Sequence, residues 1–85
     1  MNVKLRYFAW VRERIGTREE DVDLPAEIAT VADLLFWLQG RGDGYAEALQ
    51  QPKVIRVAIN EEHVRHDEPL AGAREIALFP PMTGG

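Results

Sequence analysis

No cysteine occurs among the 85 residues of this chain. That absence excludes disulfides, thiolate metal sites and a thiol nucleophile, and it makes a reducing cytoplasm the default compartment. Long apolar runs are missing as well. Nothing approaches the roughly 18 consecutive apolar residues of a membrane-spanning helix, so no membrane partner is expected. The opening, Met1-Asn2-Val3-Lys4-Leu5-Arg6, alternates rather than building an apolar core, and is not read as a signal peptide. Basic charge is scarce: ten Lys and Arg stand against 14 Asp and Glu, for a net charge of -4. Phosphate binding needs a basic patch, so the balance argues against nucleic acid as the main partner. No glycine-rich strand-to-helix turn supports a phosphate loop, and no Ser-His-Asp or Cys-His arrangement is readable. The nearest approach to a metal set is His63, His66 and Asp67, in a turn and edge strand with no third convergent ligand, so no metal is expected. The chain is expected to catalyse nothing alone.

What is present reads as one small globular domain, with 46% hydrophobic and 28% charged residues. Asn2 to Tyr7 alternates, with Val3, Leu5 and Tyr7 on one face, as a half-buried strand does. From Phe8 the period changes. Phe8, Val11 and Ile15 fit a short helical stripe that Gly16 ends at the C′ position. Thr17 to Leu24 predicts a second strand, with Val22 and Leu24 inward. Glu19, Glu20, Asp21 and Asp23 fill its other positions, as a solvated edge guarded by charge or as a docking patch for a basic partner. Thr30 to Gln39 is the main helix. Thr30 is its N-cap, Asp33 stands at the capping-box position, and Val31, Leu34, Leu35 and Leu38 form one apolar stripe. Phe36 and Trp37 lie off that stripe and are read as flank packing. Arg41 to Gly44 is a turn cluster, and Tyr45 to Gln50 a further short helix.

The second half opens at Pro52. Val54 to Ile59 alternates with Ile55, Val57 and Ile59 inward. Asn60-Glu61-Glu62 turns the chain, and His63-Val64 starts a return strand. Leu70 anchors a polar loop. Glu75 to Phe79 is the last strand, with Ile76 and Leu78 on one face and Ala77 and Phe79 on the other. The order is strand, short helix, strand, long helix, short helix, hairpin, loop, strand. It predicts an α+β fold, a mixed sheet packed on one main helix with short extra helices. Residues 1–79 form the domain, and 80–85 are expected to be a flexible tail.

That tail is Pro80-Pro81-Met82-Thr83-Gly84-Gly85. Two prolines forbid both helix and ladder pairing and stiffen the root. Glycine lacks a Cβ, so Gly84 and Gly85 suit a narrow channel on another protein. A terminal carboxylate is a poor electrophile. Adenylation with ATP would make it one that sulfide, thiol or amine attacks.

Three blocks carry a resemblance: Arg6-Tyr7-Phe8-Ala9 with Arg12-Glu13-Arg14-Ile15-Gly16, then Val57 to Val64, then Glu75 to Gly85. Together they resemble the small subunits of molybdopterin synthase, a family of ubiquitin-like β-grasp sulfur carriers. The resemblance implies that Gly85 is adenylated and converted to a thiocarboxylate. It implies Gly84, Thr83 and Met82 in the channel segment, and Phe79, Pro80 and Pro81 against the partner. The implied partners are the large subunit of a heterotetrameric synthase, an E1-like adenylating enzyme and a sulfurtransferase or persulfide donor. No cofactor is expected on the chain itself; ATP is used by the activating enzyme. The sulfur would pass to cyclic pyranopterin monophosphate, as one step of molybdenum cofactor biosynthesis. Carriers for thiamine are typically shorter and lack the helix after the first strand, so Phe8 to Gly16 argues against them. A ubiquitin-like modifier joined to lysines stays open as an alternative.

Overall fold

The computed structural model of the chain describes residues 1–81. Met82, Thr83, Gly84 and Gly85, which the sequence reading assigns to the sulfur-carrying tail, lie outside the described residues.

Among the described residues five strands form one mixed sheet in the order β2-β1-β5-β3-β4. Strand β1 (Asn2–Tyr7) lies inside the sheet, and Val3, Leu5 and Tyr7 are buried on one face as its alternation predicts. It pairs antiparallel with β2 (Glu19–Asp23) and parallel with β5 (Glu75–Phe79). On the far side of β5 lies β3 (Arg56–Ile59), antiparallel to it, and then the short edge strand β4 (Glu62–Val64). The β3–β4 turn is tighter than its sequence suggests. Asn60 and Glu61 both take positive φ, 50° and 72°, and Glu62 already belongs to β4. The Asn60 side chain accepts hydrogen bonds from the Arg74 and Glu75 backbone N–H groups at 2.9 and 3.1 Å. This clamps the hairpin to the start of β5.

The three α-helices of the described residues cover one face. Helix α2 (Val31–Gln39) carries the capping box that Thr30 and Asp33 predict, and buries Val31, Leu34, Leu35 and Leu38. These leucines pack on Leu5, Ile76 and Leu78, all fully buried. Each such side chain contributes about 2 kcal/mol of burial. Helix α1 (Ala9–Ile15) ends at Gly16, whose φ of 95° is the left-handed conformation predicted there. Helix α3 (Asp43–Ala48) lies against α1, and a 3-10 turn (Pro52–Val54) leads into β3. Among the described residues no helix is long and apolar enough to cross a membrane.

Three expectations need correction. Phe8 is not on the helical stripe. It is the N-cap of α1, in extended conformation, and continues the outward series Lys4, Arg6 of β1. Phe36 does not pack along a flank: it is 78% exposed, because the α2 contacts are filled by the leucine stripe. Glu20 does not share the outward face of Glu19 and Asp21. It is in phase with Val22, opposite Leu5 in the register, and points toward the helices. There the Tyr7 and Tyr45 hydroxyls donate to the same Glu20 oxygen at 2.7 and 2.6 Å, and Arg41 lies 3.4 Å from the other.

Candidate functional site

The face of the sheet away from the helices is open, and its character changes along its length. At the β2 edge it is charged. Lys4 meets Glu19 at 3.4 Å, and the terminal amine of Met1 meets Asp23 at 3.0 Å. Toward the centre the residues become small: Ala58 and Ala77 stand opposite each other in the β3–β5 register. At the end where β5 runs out, the face turns aromatic. The Phe8 and Phe79 rings stack with centroids 4.6 Å apart and planes 9° from parallel. The His63 ring lies 5.6 Å from Phe79.

Local sequence explains this cluster. The outward phase of β1 ends on Phe8 and that of β5 on Phe79, and parallel pairing brings the two ends to the same edge of the sheet. His63 arrives from β4 opposite Ala58. Arg6 frames the cluster, with its guanidinium 5.3 Å from the Phe8 ring centroid and 3.2 Å from the Glu75 carboxylate. Phe79 is half-buried, so one face of the pair stays available. Pro80 and Pro81 belong to no regular element, as two prolines require. They join Phe8, Ala9, Arg56, His63 and Phe79 in lining a groove of about 440 Å³. An apolar floor with a polar rim is what a protein-binding anchor site needs.

Backbone strain sits at the same place. Ala9, the first residue of α1, has a φ of 52°. That left-handed conformation costs an alanine about 1–2 kcal/mol. It turns the chain from the strand into α1 while leaving Phe8 on the open face.

The structure thus brings Phe79, Pro80 and Pro81 into one site. Met82, Thr83, Gly84 and Gly85 fall outside the described residues. Phe8, Ala9 and His63 belong to the site although the sequence reading did not place them there. The signal for Phe8 was present: Lys4, Arg6 and Phe8 continue one period of two. His63 and His66 diverge. His63 faces Phe79, while His66 Nε2 lies 2.8 Å from the Ile55 carbonyl oxygen. Among the described residues no group of three His, Asp or Glu side chains converges as metal ligands would.

A mixed sheet of order β2-β1-β5-β3-β4, wrapped on one main helix and leaving an open face at the end of its central strand, is the ubiquitin-like β-grasp fold. The sequence model described as the ThiS family matches residues 5–85, and the chain belongs to that family. It is 37% identical to the molybdopterin synthase sulfur carrier subunit of Escherichia coli (strain K12), over 98% of this chain and 99% of that one. The subunit of the same name from Haemophilus influenzae is 37% identical over 93% of this chain and 94% of its own. Among solved structures, SAMP1 from Haloferax volcanii, a small archaeal modifier protein, superposes with a TM-score of 0.72 at 32% identity, covering 100% of both chains.

Proposed function

We propose that this chain is a sulfur carrier of molybdenum cofactor biosynthesis. The observation that carries the reading is the 37% identity, over nearly the whole of both chains, to a subunit named for that role. The aromatic groove at the root of the tail supports it, because a carrier must be held while its end reaches into a partner. In this reading Gly85 is the reacting residue. The adenylating enzyme joins its carboxylate to AMP and releases pyrophosphate. A sulfur nucleophile from a sulfurtransferase or persulfide donor displaces AMP, and after reduction of any S–S bond a thiocarboxylate remains. Gly84, Thr83 and Met82 thread the channel of the large synthase subunit, and Phe79, Pro80 and Pro81 seat against its mouth. The sulfur then passes to cyclic pyranopterin monophosphate. In this reading the domain's contribution to these steps is position.

A second reading rests on the likeness to a small archaeal modifier protein. The same acyl adenylate attacked by a lysine amine would give an isopeptide. Intact-mass measurement on protein taken from its native host separates the two. One terminal oxygen replaced by sulfur is the expected result. Lysine adducts in its place would favour the modifier. A host that makes molybdopterin unimpaired after loss of this chain would refute the carrier reading.

A further inference from the structure

Beside the aromatic groove lies a second one of different chemistry. It has a volume of about 510 Å³, and Lys53, Val54, Arg56, Arg65, His66 and Pro81 stand around it. Among the described residues, no carboxylate lines it. Three of the ten Lys and Arg side chains of a chain with net charge -4 therefore gather at the root of the tail. Among the described residues, neither Lys53 nor Arg56 has a carboxylate within ion-pair distance. Arg65 has one, Asp67 at 3.7 Å, and both side chains are at least 80% exposed. Such a pair contributes little and leaves the guanidinium available. Val54, 38% exposed, adds an apolar patch to the floor. Arg56 and Pro81 line both grooves, so the basic surface is continuous with the aromatic site.

We infer that this basic groove docks on an acidic surface of the adenylating enzyme that receives the tail. The inference rests on the carrier reading above and adds the partner's chemistry. An activating enzyme must capture and release its carrier at every turnover. Charges suit that role, because they raise the rate of encounter more than they deepen the complex. The cations stand where the tail leaves the domain, so a partner drawn to them meets the tail first. Stable seating is left to Phe8 and Phe79.

The test is the rate of ATP-dependent pyrophosphate release with the cognate activating enzyme, measured against carrier concentration and salt. For the unsubstituted chain, kcat/KM should fall as salt rises. The double variant Lys53→Glu with Arg65→Glu should lose about tenfold or more in kcat/KM at low salt, keep its kcat, and show a flattened salt dependence. Lys53→Gln with Arg65→Gln, which removes charge without reversing it, should fall between the two. Both positions are exposed, and circular dichroism is expected to match the parent chain. Equal kcat/KM at every salt concentration would overturn the proposal, as would a loss confined to kcat. Inorganic phosphate binding to the isolated chain, lost in the double variant, would make the groove a small-anion site and also overturn it. No pyrophosphate release from the unsubstituted chain would remove the carrier reading along with the docking one.

Discussion

In the proposed function, Phe79 and Gly85 divide the work between holding and reacting. Phe79 stacks on Phe8, half-buried, where the open face meets the tail. Its truncation to Ala should weaken binding to the large synthase subunit by about 2 kcal/mol or more. The cost in thermal stability should stay near 1 kcal/mol, the worth of an aromatic pair. A variant that unfolds, yet binds normally when folded, would return Phe79 to the core. For Gly85 the argument is one of length. A residue added after it moves the carboxylate about 3.5 Å along an extended chain. Reacting atoms must lie within about 3–3.5 Å, so the extended chain should release no pyrophosphate with the activating enzyme. Full activity with the added residue still attached would sink the carrier assignment. Glu20 is a different kind of residue, serving the fold. Burial raises the Tyr7 hydroxyl above its ordinary pKa, and its bond to Glu20 raises it further; Tyr45 is raised by the same causes. The folded chain therefore keeps protons that the unfolded chain loses above about pH 10. The stability they contribute is full below that pH and falls as pH rises through it. Denaturant midpoints measured upward from about pH 9 should show the decline, and Tyr7→Phe should make it shallower. A flat profile would show that these hydroxyls are not held as described.

At the scale of elements, the close approach of α1 and α3 turns on one glycine. A Cβ built on Gly44 would lie 2.6 Å from the Arg14 carbonyl oxygen and 3.3 Å from that of Ile15. Both are backbone atoms, so the helices would have to separate. Gly44→Ala should destabilise the domain by about 1–3 kcal/mol in urea unfolding. An unchanged midpoint would mean that α3 shifts freely. This contact was not legible in the sequence, where Gly44 reads as one of several turn residues. The elements themselves were legible, because their periods are local. Strand β1 and the cap, stripe and end of α2 follow from spacing alone. Phe8 and Glu20 were misplaced for one shared reason: at a strand end the period of two competes with a neighbouring pattern. Phe8 also fits the helical stripe of Val11 and Ile15. Glu20 sits among acids that look uniformly solvated, and its inward position is held by Tyr7, Tyr45 and Arg41, which only the tertiary fold brings together. Ala9 gives no sign of its positive φ, since nothing in an alanine favours one. The aromatic site was half legible: Phe79 from its phase and position, His63 only through the β3–β4 register.

For the whole molecule, the decisive feature is that the last strand lies in the middle of the sheet. Strand β5 separates β1 from β3 and supplies Ile76 and Leu78 to the core. A fragment ending at Arg74 would leave the facing sides of β1 and β3 without a partner and that core open. It should show no cooperative thermal unfolding, and a sharp transition would contradict the topology's claim on β5. The central pairing joins Lys4 to Glu75 and Tyr7 to Leu78, nearly the full length of the chain apart. Contacts this distant form late and make folding slow for a domain of this size. Time on the ribosome follows from it. The first strand emerges long before β5, which covers its inner side, and it waits unpaired on that side until β5 is made. A nascent chain without β5 therefore offers no folded domain for a partner to grip.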